Sequence, residues 1–383
     1  MDSTPKVVDT ITHGITGALV ARAFFSEREG RWATLAVTLG AVFPDSDTFA
    51  NLFSSNNLAR LELHRGITHS LVALPLFALL LGALTCVWTR QRKWVLVSSF
   101  FGLGIALHIF LDLLTSFGTM IWAPLSKARV SWDLTFIIDL AFTSIVLLPQ
   151  LTAWVYSDRQ RAWQKGVGVW LCLTAAGLAA SEVAMSLRMP LSIQTVAIAS
   201  LLIGILLWLP WAAGCGFRWP ASLYCQIGVA ALTLYLGACA VAHQRALARV
   251  ERFAKQSGLA VEHMAALPSP PSPWRWSGLI QTPDGVYRIA LDLSEPRPLA
   301  SHFFAHAQKN RYLETAENLA AVKTYRWFAR FPWVTYRQDN GLHLVEYTDL
   351  QFYRASSGNN PPFTFRVFFD AQGRLVRSGL VGP

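Results

Sequence analysis

The segment LHRGITHS, residues 63–70, stands directly before an apolar run that extends over residues 71–88. It places two histidines, an arginine and two hydroxyl groups at the mouth of a predicted membrane helix. Gly66 indicates a turn between His64 and His69, and a hydroxyl group just before the run would cap the following helix. Because the two histidines are five residues apart, they do not share one helical face. We expect them to reach a common point from different directions.

The composition indicates an integral membrane protein. Of the 383 residues, 53% are hydrophobic and only 15% are charged, whereas a soluble globular protein carries about 25% charged residues. The net charge of +10 is spread over short loops between apolar runs and over the C-terminal region. That distribution favours cytoplasmic loops and anionic lipid over nucleic acid as the reason for the charge. The N-terminus lacks the pattern of a cleaved signal peptide.

Six apolar runs near bilayer length predict a mostly α fold, a polytopic helical membrane bundle. The predicted spans are residues 70–88, 94–116, 134–156, 168–187, 196–217 and 223–243. Two short N-terminal segments, residues 11–25 and 32–43, precede them and are shorter than the roughly 20 residues that a free-standing span needs. They form either a re-entrant pair or short spans packed inside the bundle, because polar backbone at that depth must be covered by protein.

Basic loops indicate the sidedness of the bundle. The loops at residues 90–93 and 159–165 lie on one side if every run crosses, and the positive-inside rule makes that side cytoplasmic. The polar motifs of the N-terminal half then lie toward the outer face of an inner, or plasma, membrane. A basic stretch at residues 245–255 follows the last run and weighs against this orientation.

The composition changes near residue 244. We divide the chain into a helical membrane domain (1–243), a basic helix with a Pro-rich linker (244–273) and a small soluble α+β or β-rich domain (274–383). Within the last domain, alternating apolar residues and turn signals predict strands, and one helix is expected between them. The strands are predicted at residues 274–279, 285–293, 343–353 and 364–369, and the helix at residues 311–328.

His108 and Asp112 form the sharpest chemical motif. Their spacing of four residues puts both side chains on one face of a helix, inside a run that is otherwise apolar. A carboxylate in a membrane span costs about 2.5–3.5 kcal/mol on insertion scales, so it needs compensation. A zinc ion binds imidazole and carboxylate and supplies the opposite charge. A buried ion pair that only packs two helices is the alternative.

Other histidines and acids mark the ends of neighbouring apolar segments. His13 opens the first segment, Asp45 and Asp47 follow a proline at the end of the second, and Asp133 and Asp139 flank the start of a later run. Paired acids after a proline offer oxygen ligands from a fixed turn, although a simple helix stop remains open. Because separate segments deliver these groups to one face, we predict a shared metal site, and the absence of cysteine there favours a catalytic one.

These motifs, in this order and spacing, resemble the YdjM-like family of membrane-bound, metal-dependent hydrolases. The resemblance covers roughly residues 9–140 and implies a set of metal ligands that consists of His13, Asp45, His64, His69, His108 and Asp112. A weaker similarity to zinc-dependent phospholipase C, whose helical fold gathers histidines and aspartates around a zinc cluster, implies hydrolysis of a phosphoester at a lipid headgroup.

We therefore expect a hydrolase that uses one or two divalent ions, with zinc favoured, to lower the pKa of a bound water towards about 7. Asp47 or Asp133 would act as base or hydrogen-bond acceptor, and Arg65 would hold an anionic headgroup. Membrane lipids and a lipid or lipid-linked substrate are the expected partners, with the metal site and the C-terminal domain on the outer side. The alternative is a non-enzymatic ion or proton transporter, or a metal-clipped scaffold for the C-terminal domain.

Overall fold

The chain consists of a helical N-terminal region and a C-terminal region built around two antiparallel sheets. A computed structural model describes residues 4–48, 57–90, 93–186, 192–270, 273–295, 300–353 and 361–381. The mostly α membrane region and the β-rich C-terminal region predicted from the sequence are both present.

The helical region has ten helices within the described ranges. They are α1 (Thr4–Phe24), α2 (Ser26–Glu29), α3 (Arg31–Val42), α4 (Asn57–Leu63), α5 (Leu74–Thr89), α6 (Trp94–Leu114), α7 (Leu140–Tyr156), α8 (Ala162–Ser186), α9 (Ile193–Ala212) and α10 (Ala221–Gln256). Short 3-10 turns lie at Phe43–Ser46 and Ile67–His69.

The predicted count of six membrane spans is not confirmed. Helices occupy all six runs, but only α6, α9 and α10 are long and apolar enough to cross a bilayer among the described residues. A fourth span exists if α5 and the preceding Leu61–His69 segment, which meet at 69°, count as one. The helix α7 is shorter than predicted because the Asp139 side chain accepts hydrogen bonds from the backbone N–H groups of Ala141 and Phe142, which starts the helix there.

Two glycines bring α3 against α6. A Cβ atom on Gly40 would lie 2.5 Å from the carbonyl oxygen of Phe101, and one on Gly104 would lie 2.3 Å from that of Val37. Only glycine therefore permits this approach of the two backbones, as is common for small residues between membrane helices. The contact aligns the C-terminal ends of α3 and α6, where Asp45 and His108 lie.

The helix α10 continues without a break from a candidate membrane span into the C-terminal region. Its last turns carry Ala246 and Val250, which pack against Trp276 and Ile289 of the first sheet. The last predicted span and the predicted basic helix are therefore one helix of 36 residues.

The C-terminal region contains two four-stranded sheets, each with its strands in sequence order. The first holds β1 (His263–Ser269), β2 (Arg275–Thr282), β3 (Gly285–Asp292) and β4 (Ala300–Ala305), and the second holds β5 (Pro332–Asp339), β6 (Leu342–Asp349), β7 (Thr364–Phe369) and β8 (Leu375–Leu380). The four predicted strands correspond to β2, β3, β6 and β7. The other four lack a clear alternating pattern in the sequence.

Two further predictions for this region were wrong. Pro268 and Ser269, assigned to a linker, lie in β1 and pair with Trp276 and Arg275, which is compatible with proline because β1 is an edge strand; residues 271–272 lie outside the described ranges. The helix expected over residues 311–328 is two helices, α11 (Arg311–Asn318) and α12 (Ala320–Phe328), because Leu319 has an extended backbone.

The second sheet packs beside the polar motifs of the helical region. Leu58 and Leu61 of α4 share one hydrophobic core with Val345, Tyr347 and Phe365 of that sheet. The C-terminal region thus lies at the same end of the helices as the histidines and aspartates.

Candidate metal centre

Four segments of the helical region bring histidines and aspartates together. α1 contributes Asp9 and His13, the turn after α3 contributes Asp45 and Asp47, the segment 63–70 contributes His64 and His69, and α6 contributes His108 and Asp112. All four segments belong to the part of the chain in which the sequence predicted a shared site.

The imidazole of His108 is fixed by the backbone of α3. Its Nδ1 lies 2.7 Å from the carbonyl oxygen of Ala41, and because a carbonyl only accepts, Nδ1 carries the proton. The other nitrogen, Nε2, faces the cluster, 3.1 Å from Nε2 of His69 and 3.6 Å from Asp45 Oδ1, and is the atom that a neutral ring would offer as a ligand. Histidines that bind a metal through one ring nitrogen typically donate a hydrogen bond from the other, as Nδ1 of His108 does here.

The carboxylate of Asp112 lies between two histidines. Its Oδ1 is 3.4 Å from Nε2 of His13, and its Oδ2 is 3.3 Å from Nε2 of His69. The ring of His13 also stacks on that of His108, with centroids 4.0 Å apart. Asp112 can therefore offer one oxygen to each side of the cluster.

Two overlapping groups of side chains could hold a metal ion. One is His13, His108 and Asp112, the other is Asp45, His69 and His108, and within each group the donor atoms lie within 4.8 Å of one another. Ligands at about 2.0–2.1 Å around a tetrahedral zinc ion are about 3.3 Å apart. The measured separations between neighbouring donor atoms, 3.1 to 3.7 Å, bracket that spacing.

Unsatisfied polar atoms support the same interpretation. Both side-chain oxygens of Asp112 and both ring nitrogens of His13 are buried and form no hydrogen bond of good geometry within the described residues. Their contacts with charged neighbours are ion pairs at unfavourable angles. Buried polar atoms are almost always hydrogen-bonded, so these donor atoms fit a bound cation.

Arg65 lies inside the cluster rather than above it. Its Nη2 is 2.8 Å from Asp112 Oδ1 and 3.3 Å from Asp9 Oδ2, and its Nη1 donates to Thr115 Oγ1 at 2.9 Å. The side chain is 3% exposed, and its guanidinium stacks on Phe117. The structure thus gives Arg65 the position of a counter-charge to Asp112, whereas the sequence suggested a clamp for a headgroup.

Asp47 and His64 form a pair next to the two ligand groups. His64 Nδ1 lies 3.1 Å from Asp47 Oδ2, which also accepts a hydrogen bond from the backbone N–H of Arg65 at 2.9 Å. Burial acts to raise the pKa of Asp47, but the hydrogen bond and charge of His64 outweigh it and hold the pKa below its usual value. His64, predicted as a ligand, belongs to neither ligand group in this arrangement.

Asp133 is engaged elsewhere. Arg330 of the C-terminal region donates from Nη1 and Nη2 to the two carboxylate oxygens of Asp133, at 2.8 and 2.9 Å. Asp133 therefore joins the two regions and, among the described residues, belongs to neither ligand group. Conversely, Asp9 was not selected as a site residue from the sequence, although its spacing of four residues before His13 was a signal that it could share a helical face with it.

Two concave surfaces differ in their relation to the cluster. A narrow cleft between α1, α6 and the start of α7 includes Asp9 and His13 in its wall. A wider groove between α3, α5 and α6 lies near the basic loop before α6 and contains no residue of the cluster.

Comparisons with known proteins agree with the motifs. Residues 8–185 match the YdjM inner membrane protein family, which confirms the resemblance predicted from the sequence. The chain is also 29% identical over 154 residues to the uncharacterized protein YfhP of Bacillus subtilis (strain 168). That match covers 38% of this chain and 46% of the relative, so the chain spans about half the length of that protein. No solved structure matches.

Proposed function

From the match of residues 8–185 to the YdjM inner membrane protein family, we propose that this chain is a membrane-bound, metal-dependent hydrolase. Its substrate would be a lipid or lipid-linked ester or phosphoester. The observation that carries the proposal is the convergence of five buried or half-buried donor side chains at the spacing of metal ligands. They are His13, Asp45, His69, His108 and Asp112.

The donor set favours zinc. Imidazole and carboxylate ligands without cysteine are typical of catalytic zinc sites, and the two overlapping groups have room for one or two ions. A bound ion would supply a water of lowered pKa and polarise the bond that is cut. His108 and Asp112 would hold the ion, Arg65 would balance the charge of Asp112, and Asp47 would orient His64 or accept a proton.

The position of the cluster supports an outer location. α6 runs from Trp94, beside the basic loop that contains Lys93, to Leu114, beside the cluster. With the basic loop in the cytoplasm, the cluster and the C-terminal region that packs on it would face the outside.

A transporter of ions or protons is the second candidate. It is favoured by the burial of Asp112 and His108 in α6, a helix long and apolar enough to cross a bilayer, because ionisable groups in membrane helices often mark ion paths. A third possibility is a metal-clipped scaffold for the C-terminal region.

Metal analysis of purified variants tests the proposal. We expect His108→Ala and Asp112→Ala to lose bound zinc and the hydrolysis of phospholipid in nanodiscs, because each removes a ligand. His302→Ala, which changes an exposed histidine of β4, is the matched control and should retain both. Retention of zinc by both ligand variants would refute the site, and zinc uptake into proteoliposomes that depends on Asp112 would favour transport.

A further inference from the structure

A cleft leads from the candidate metal centre to the side of the helical region. One wall is α1 with Asp9 and His13, and the floor is the end of α6 with Leu111 and Leu114. The opposite wall is formed by residues 135–143. The cleft has room at its floor for only one or two water molecules, but it holds about 410 Å³ when its open mouth is included.

The lining of the cleft combines polar and apolar side chains. Asp9 and His13 belong to the cluster, with His13 Nε2 3.3 Å from Asp9 Oδ1. The other wall supplies aliphatic and aromatic carbon from residues 136–138 and 142, interrupted by the polar side chains of Thr135, Asp139 and Thr143. A molecule that fits this surface has a polar group at one end and hydrocarbon at the other, which is the chemistry of a membrane lipid.

The approach to the cluster from the C-terminal region is covered by aromatic rings. Phe117 lies over the guanidinium of Arg65 at 5.1 Å and against the ring of His64 at 5.4 Å. Phe117 is in turn packed against Phe328 and Phe363, at 5.7 and 6.0 Å. Within the described residues, these rings stand between the cluster and the second sheet, and the cleft opens on another side, beside Asp9 and His13.

Three residues that adjoin lining residues in the chain are apolar and exposed. Ile11 is 53% exposed and Leu140 is 52% exposed. Phe110, also exposed, contacts Trp132 edge to face at 5.7 Å, and tryptophan is enriched at the membrane–water interface. The mouth of the cleft thus opens on a surface suited to lipid.

We propose that a phospholipid enters the metal centre sideways through this cleft, with its acyl chain along Ile137 and Phe142 and its headgroup bonds beside His13. The inference rests on the proposed hydrolase function and specifies its substrate as a lipid taken directly from the bilayer. Because the cleft is narrow, entry requires the loop over residues 135–139 to move away from α1.

Photocrosslinking tests occupancy without relying on hydrolysis. The full-length, zinc-loaded protein would be placed in nanodiscs that contain phosphatidylglycerol with a diazirine in the middle of one acyl chain. We expect crosslinks in peptides that contain residues 111–114 and 137–142. Ile137→Trp should reduce these crosslinks about tenfold, the low end of what a misfitting group in an apolar pocket costs.

Leu35→Trp is the matched control, because Leu35 lines the separate groove between α3, α5 and α6. It adds the same bulk on another membrane-facing surface and should leave the cleft crosslinks unchanged. Equal thermal stability of the tryptophan variants would exclude misfolding as the cause. Absence of cleft crosslinks in the parent protein, or equal crosslinking in Ile137→Trp, would overturn the inference and leave the cleft as a water passage only.

A second measurement separates this inference from the proposed function. Hydrolysis of the same phospholipid would be compared with that of bis(p-nitrophenyl) phosphate, a soluble diester. We expect Ile137→Trp to lower lipid hydrolysis about tenfold relative to the soluble diester and to retain its zinc. Crosslinking without any hydrolysis would refute the hydrolase and leave the lipid cleft, whereas hydrolysis with an unchanged ratio would refute the cleft alone.

Discussion

Asp112 of the helical region and Asp349 of the second sheet are both almost fully buried, at 1% and 0% exposure, but their surroundings differ. Asp349 accepts backbone N–H hydrogen bonds from Arg330, Phe331 and Gln351. Asp112 is surrounded by ionisable side chains and forms no hydrogen bond of good geometry through its carboxylate in the described part of the chain. A buried carboxylate satisfied by peptide groups is structural, while one held by the ion pair with Arg65 and flanked by imidazoles is suited to hold a cation.

Substitution of each aspartate by asparagine should reveal the largest difference between Asp112 and Asp349. Asp112→Asn removes the charge of a proposed ligand. Loss of an outer hydrogen-bond partner lowers metal affinity about 10–100-fold, and we expect the loss of zinc affinity in this variant to be larger. Asp349→Asn should leave zinc affinity unchanged and lower stability by about 1–3 kcal/mol, because one backbone donor loses its acceptor. Competition with a chromophoric chelator measures the first effect and thermal unfolding the second. Equal zinc affinity in the two variants would end the distinction.

Removal of the positive charge at Arg65 should destabilise the protein in a way that depends on zinc. In the zinc-free protein, Arg65→Met leaves Asp112 without its guanidinium partner, which costs about 3–5 kcal/mol for a buried pair. Added zinc should restore much of that loss, since it supplies the missing charge. Thermal unfolding with and without zinc measures the effect.

Arg129→Met is the control for this experiment. Arg129 is a half-buried arginine that donates to the backbone carbonyl oxygens of Phe117 and Phe328 instead of a carboxylate. Its loss should destabilise the protein equally with and without zinc. Rescue of both variants by zinc would mean that the ion acts on the whole fold rather than on Asp112.

The smallest expected effect is a pH dependence at Asp349. Burial raises the pKa of Asp349 above its ordinary value of 3.8. An acid with a higher pKa in the folded state binds its proton more tightly there, so stability is lost as pH rises from about 4 through the raised pKa. Asp349→Asn lacks this loss, and the melting temperature of the variant relative to the parent should rise over that interval. Exposed Asp284 is the control, and parallel curves for Asp349→Asn would contradict the assignment.

The sequence predicts most of the architecture because its patterns are local. Apolar runs identify the helices, and alternation identifies β2, β3, β6 and β7. The count of six spans is not confirmed, because only α6, α9 and α10 are long and apolar enough among the described residues. Part of the difference is local, since the cap at Asp139 shortens α7 and average hydropathy does not reveal a cap formed by one side chain. β1 was missed because Pro268 reads as a linker, although an edge strand tolerates it.

The sequence predicts which residues meet at the candidate site better than it predicts the partner of each residue. The motifs of His13, Asp45, His69, His108 and Asp112 indicated a shared site, and these side chains meet. The partners of Arg65 and Asp133 depend on packing between distant segments. Asp133 pairs with Arg330, which is 197 residues away in the chain, and no local pattern carries that information.

The unbroken helix α10 has a mechanical consequence. Its 36 residues extend about 54 Å at 1.5 Å per residue, whereas the hydrocarbon core of a bilayer is about 30 Å thick. The part of the helix that exceeds the thickness of the bilayer is rigid and sets the distance between the bilayer and the first sheet. Arg330, just before β5, also attaches the C-terminal region to the helical region through Asp133, so the region is held at two points, along the end of α10 and at this ion pair.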